Sequence, residues 1–190
     1  VPKNKKSTYA SFVADHRPLK DEPWRFRLVE GGNMLEYEHD SGSPATDLVE
    51  TKVLLNSTIS DAKRGARYAS MDLKDMFLHT DMEQPEYMKV HIKYFPKDIC
   101  LKYNLYEKEY HGYIYIKIKK GMYGLKQAAI LANKRVCGLL EKAGYEHILG
   151  SHGMWRHKTR SILFTLCVDD FGIKYEKKED VLHLQQTLQE

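Results

Sequence analysis

The stretch that most restricts how this chain can fold is FTLCVDDFGIKY, residues 164–175. Two apolar, strand-like runs, Phe164–Val168 and Phe171–Ile173, are separated by Asp169 and Asp170. Aspartate disfavours strand interiors, and neighbouring carboxylates repel each other. Two readings are open on this stretch alone. In one, the pair is the turn of a β-hairpin, since Asp tolerates turn conformations and two apolar runs two residues apart read as paired strands. In the other, the pair stands at a strand end where a cation relieves the repulsion. Asp-Asp is a weaker turn signal than Asn-Gly or Asp-Gly, so the turn leaves part of the pattern unexplained.

The remaining segments supply the partners for such a hairpin. Residues 1–20 are polar and basic and read as a weakly ordered lead-in. WRFRLVEGGNMLEYEHD reads as a strand, a turn at Gly31-Gly32 and a second strand. After the loop SGSPATD, Asp47 is placed to cap a helix, with Glu50 completing a capping box. Leu48, Val53, Leu54, Leu55 and Ile59 give that helix an apolar face. ARYASMDL reads as a strand and KDMFLHTDM as a turn and short helix. YMKVHI is a further strand, followed by a polar, tyrosine-rich insertion over 94–112. In YIYIKIKK, Tyr113, Tyr115, Lys117 and Lys119 alternate with Ile114, Ile116 and Ile118, the period of a half-buried strand. A helix is expected over 128–142, then three short strands in GMWRHK, SILFTLCV and FGIKYE. The last helix presents Val181, Leu184 and Leu188 on one face. Strands interleaved with helices and hairpins predict an α+β fold with a mostly antiparallel sheet flanked by helices.

Composition sets the outer limits. Hydrophobic residues make up 42% and charged residues 29%, enough for a core in 190 residues. The 30 Lys and Arg against 26 Asp and Glu leave a mild positive balance that is compatible with a polyanionic partner. Cys100, Cys137 and Cys167 are far apart, with neither a disulfide framework nor a zinc spacing, which points to a reducing, intracellular setting. No apolar run approaches the ~18 residues of a membrane span, so no membrane partner is expected. The chain begins with Val rather than Met and ends inside a helical pattern, so both ends read as cut from something longer.

A second acid, Asp72 in YASMDLKDMFLHT, also follows an apolar strand and precedes a chain reversal. Alone it reads as a helix cap. Taken with Asp169 and Asp170 it reads as a set of carboxylates that converge if the two strands are neighbours. Such hard oxygen donors suit Mg²⁺, and paired divalent ions serve in-line nucleotidyl transfer.

MDLKDMFL, GMYGLKQA and CVDDF, in this order, resemble the conserved blocks of the reverse transcriptase of LTR retrotransposons, copia-type branch. The similarity runs from about Leu19 to the C-terminus. The resemblance implies a right-hand polymerase with a fingers-like part over 21–70 and a palm-like part over 71–190. The fingers/palm connection would lie around 113–135, with thumb and ribonuclease H absent. Asp72 and Asp169 would be ligands of two magnesium ions, Asp170 would complete the acidic triad, and the backbone carbonyl of Leu73 would add a ligand. Asp75 and Phe77 would lie under the incoming nucleotide, with Phe77 against the sugar. Gln127 would stand near nucleotide and template, in a loop shaped by Tyr123 and Gly124 and followed by the basic Lys126. Arg25 or Arg27 would grip the triphosphate by bidentate hydrogen bonds. Cys167 occupies the position of the family's aromatic residue at the primer end.

The implied partners are a primed RNA or DNA template, deoxynucleoside triphosphates and the rest of a parent polyprotein, in a cytoplasmic particle or the nucleus. The alternative is a truncated, inactive polymerase-like domain that only binds nucleic acid. His152 and His157 around Trp155 fit a surface strand with a packed indole better than a metal site. Lys117, Lys119 and Lys120 form a basic stripe suited to phosphates. Ser/His/Asp, Walker and GxGxxG patterns are absent, so hydrolase, P-loop and dinucleotide functions have no anchor.

Overall fold

The computed structural model describes residues 1–35, 37, 42 and 44–189. In chain order these form β1 (Thr8–His16), β2 (Trp24–Glu30), α1 (Leu48–Ser60), β3 (Arg67–Asp72), β4 (Asp81–His91), α2 (Lys97–Lys102), α3 (Leu105–Lys108) and β5 (Tyr113–Lys120). Then follow α4 (Ala128–Lys142), β6 (Tyr145–His147), β7 (Met154–His157), β8 (Ile162–Cys167), β9 (Asp170–Tyr175) and α5 (Lys178–Thr187). The α+β class is as expected, with one four-stranded and one five-stranded sheet, antiparallel throughout except for the β1–β4 pair. The chain divides into two compact units, Val1–Ser41 with Phe77–Leu131 and Gly42–Met76 with Ala132–Glu190.

The first unit holds the sheet β2-β1-β4-β5. Its N-terminal segment corrects the reading as a weakly ordered lead-in: Thr8–His16 is a strand, paired with all of β2 from His16↔Trp24 to Ala10↔Glu30. Thus β2 finds its hairpin partner before it in the chain. The turn expected at Gly31-Gly32 is instead a 3₁₀ turn over Gly32–Met34, and most of the second strand expected beyond it lies outside the described residues. The alternation of β5 works as anticipated. Ile114 and Ile118 are buried, while Tyr115, Lys117 and Lys119 face solvent. Leu35, Met88, Val90, Ile118, Leu125 and Ala128 form the core on the inner face. The tyrosine-rich insertion is less irregular than its sequence suggests, because α2 and α3 bury Cys100 and Leu105 against Ile114.

The second unit holds the sheet β3-β9-β8-β7-β6. Phe164, Phe171, Leu166, Ile173, Val136, Leu140 and Leu184 are fully buried in it, each contributing about 1.5–3 kcal/mol by transfer from water. Arg160 donates to Asp180 at 2.9 Å and ties α5 to the β7–β8 connection. Helix α1 departs from expectation. Asp47 caps it by accepting from the Glu50 N–H at 2.7 Å, but the Glu50 carboxylate does not return to Asp47. It accepts from Thr46 Oγ1 and the backbone N–H groups of His152 and Gly153. Lys174 holds the other end through Ser57 and Asp61. These anchors set the roll of the helix, so Glu50, Leu54 and Thr58 turn inward, while Leu48, Val53, Leu55 and Ile59 stay exposed. The short helix expected after β3 is a run of turns over 74–79.

Candidate active site

Sheet register decides where the acidic residues fall. On β3 and β9, Asp72 lies directly opposite Asp170, and on β8 and β9, Cys167 lies opposite the same Asp170. Opposed residues on antiparallel neighbours share a face, with Cβ atoms about 4.5–5.5 Å apart. The Leu73 N–H donates to the Asp169 carbonyl at 2.9 Å, so the chain leaving β3 is stitched to the β8–β9 turn. Asp72 and Asp170 are exposed and Asp169 is half-buried. The residues joining the two strands are Val168 and Asp169, not Asp169 and Asp170. Val168 has φ 60° and Asp169 has no positive φ, the pattern of a type II′ turn whose first central position normally takes glycine. A β-branched residue there stores about 1–3 kcal/mol, the kind of strain that collects at functional sites.

Among the described residues, no group of three or more His, Cys, Asp or Glu side chains forms a ready metal cage. The donor chemistry nevertheless suits a hard cation. Two exposed carboxylates stand in opposed register and a third is adjacent, all oxygen donors, at a strand end open to water and to a phosphate-bearing ligand.

The expected nucleotide-contacting residues of the first unit form a second constellation. Arg25 and Arg27 share one face of β2, opposite Asp15 and Val13. The Arg27 guanidinium lies over the Tyr123 ring, 5.3 Å from its centroid, and its Nε is buried without a hydrogen-bond partner. Tyr123 in turn meets Phe77 edge-on at 5.3 Å. The Tyr123 carbonyl accepts from the Glu30 N–H at 2.8 Å. Gly124, at φ 97°, runs against the Glu30 carbonyl, while its own carbonyl lies against Gly32, so neither glycine has space for a Cβ. Lys126 donates to the Leu35 carbonyl at 3.0 Å. Gln127 is buried and donates to Glu86 Oε1 at 3.1 Å. Asp75, in the second unit, adopts a left-handed backbone at φ 55° within the turns that follow β3.

Glu30 and Glu86 were not picked out by sequence. Glu86 shares the inward parity of Met88 and Val90 on β4, and that parity was the available signal for a buried carboxyl. Glu30 is 2% exposed, with neither oxygen hydrogen-bonded. Burial, reinforced by the Glu86 charge, pushes it up to about 7.

An α+β fold of two mostly antiparallel sheets, with Asp72 and Asp170 in opposed register, is compatible with a polymerase fingers and palm fragment. The whole chain, residues 1–190, matches the reverse transcriptase (RNA-dependent DNA polymerase) family, and it belongs to that family. It is similar to a putative transposon Ty5-1 protein of Saccharomyces cerevisiae, with 31% identity over 102 residues, covering 53% of this chain and 29% of that protein. The chain therefore spans less than a third of the relative it matches. Both likenesses agree with the copia-type resemblance of the three sequence blocks.

Proposed function

We propose that this chain is the fingers and palm part of an RNA-directed DNA polymerase encoded by a retrotransposon polyprotein, adding deoxynucleotides to a primer on an RNA or DNA template. The observation that carries the reading is the register Asp72↔Asp170 with Asp169 in the adjoining turn. Two divalent cations, Mg²⁺ by donor chemistry, would be held by the carboxylates of Asp72, Asp169 and Asp170 with the Leu73 carbonyl. When bound they supply charge neutralisation for in-line nucleotidyl transfer. In this reading the second unit serves as the palm and the first as the fingers, which divides the chain differently from the contiguous 21–70 and 71–190 expected from sequence. Arg27, rather than Arg25, is the triphosphate ligand, because it lies over Tyr123 of the YGLKQ loop while Arg25 is paired in register with Asp15. Phe77, fixed edge-on against Tyr123, presents a rigid ring to the sugar. Glu86 accepts from the Gln127 amide nitrogen and so fixes which way the amide faces beside the YGLKQ loop. Cys167, exposed opposite Asp170, meets the primer terminus. The work of the protein takes place inside the cell, with its three cysteines free.

The test is magnesium-dependent extension of a primed RNA template by this chain, with Asp169→Asn as the comparison. Extension is expected to fall at least a thousandfold in the variant with an unchanged circular dichroism spectrum. Normal nucleotide incorporation by the variant would sink the reading.

A further inference from the structure

One face of the four-stranded sheet in the first unit packs the core, and the other carries a different kind of residue. Register places Tyr9 beside Lys89, Lys89 opposite Tyr115, His91 opposite Tyr113 and Tyr87 opposite Lys117 on that outer face. Tyr9 and Tyr115 are 42% and 41% exposed, and Lys89, Lys117 and Lys119 are exposed. Arg25 and Arg27 belong to the same face through their pairing with Asp15 and Val13. The paired residues of this face thus bring four permanent cations, Arg25, Arg27, Lys89 and Lys117, beside the carboxylate of Asp15, with the exposed Lys119 two positions beyond Lys117. Lys89 lies over the Tyr113 ring, 5.4 Å from its centroid. Tyr9, Lys89, His91 and Tyr113 also line a shallow hollow of about 230 Å³, with no carboxylate in its lining among the described residues.

Flat rings interleaved with cations on an open sheet are the chemistry of single-stranded nucleic-acid binding. Every base has a π-face to stack, and the backbone supplies a charge at each step. We propose that this outer face is a platform for unpaired nucleic acid, with bases stacked on Tyr9, Tyr113 and Tyr115 and phosphates on Lys89, Lys117 and Lys119. The identity of the strand as template rests on the polymerase reading; the platform itself does not.

The test is fluorescence anisotropy of a labelled single-stranded RNA with the full chain, across a salt series. Tyr113→Ala with Tyr115→Ala is expected to weaken binding at least fivefold per ring, while Tyr115→Phe, which keeps the π-face, binds as the parent does. Lys117→Gln with Lys119→Gln is expected to lower the salt slope by about 0.7 per lysine. Unchanged affinity in a folded tyrosine double variant overturns the platform. Equal loss in Tyr115→Phe also overturns it, because the phenol would then be acting without stacking. Failure of the polymerase reading is separate. It would show as primer extension that survives Asp169→Asn, a substitution that leaves single-strand binding unaffected if the platform is real.

Discussion

Glu30 illustrates how a single residue can make stability depend on pH. It is buried beside the Glu86 charge with no hydrogen bond to either oxygen, and its carboxyl is pushed up to about 7 from an unfolded value near 4.5. A raised folded-state value means that the native protein binds the extra proton. Its contribution is therefore largest below about pH 4.5 and is lost as pH rises through 7. Ionised Glu30 costs the first unit up to roughly 3 kcal/mol at pH 8. Glu30→Gln, which cannot ionise, is expected to raise the urea midpoint at pH 8 by an equivalent of about 1–3 kcal/mol. The gain should shrink towards pH 5. An equal effect at both pH values would show that the carboxyl does not titrate in this range.

At the scale of elements, what sequence could reveal depended on whether the forces were local. Strand alternation in β5, the limits of α4 and the paired runs of β8 and β9 follow from period and propensity, so they could be read directly. The roll of α1 could not, because it is fixed by partners about a hundred positions away. Five apolar residues suggested one face, and the Glu50 and Lys174 hydrogen bonds turned another inward. The same limit applies to the candidate site. Two aspartates in a row marked the hairpin, but the β8–β9 register, with Cys167 opposite Asp170, places the turn at Val168-Asp169, and pairing with β3 sets Asp170 against Asp72. The carboxylate of Glu50 makes a clear prediction. Burial alone would raise its pKa, but the His152 and Gly153 N–H groups, the Thr46 hydroxyl and the His152 ring outweigh burial and hold it below the usual value. Its contribution is thus present above about pH 4.5 and lost on acidification. Glu50→Ala is expected to cost about 2–4 kcal/mol in thermal unfolding at pH 7, since it leaves two backbone donors without their acceptor.

Across the whole molecule, the two units should answer acid in opposite senses. In the second unit, His183 accepts from or donates to Tyr145 at 3.0 Å, with His157, Arg160 and Asp180 around it. Burial, then the Arg160 and His157 charges, hold its pKa below 6.5 against the opposing pull of Asp180. The unfolded chain therefore takes up this proton first, and stability falls as pH drops below about 6.5. The first unit gains over the same range through Glu30. Hydrogen exchange corrected for intrinsic rates is expected to show β8 and β9 losing protection from pH 7 to 5 while β4 and β5 gain it. Trp155, 4% exposed, gives an independent optical report on the second unit in a Trp24→Phe variant.

The place of β1 also bears on how the protein is made. Within this segment β1 is synthesised before its sheet partners, yet it is an inner strand of its sheet, flanked by β2 and β4. It can close on β2 at once, but its parallel neighbour exists only after Met88 and Lys89 have been synthesised. A lone two-stranded ribbon is at best marginally stable in water. During that interval Ala10 and Leu28, which pack against the core in the finished sheet, are uncovered, and the order of synthesis runs against the order of the sheet. Translation speed between β2 and β4, rather than the final contacts, therefore governs how long the ribbon is exposed to mispairing.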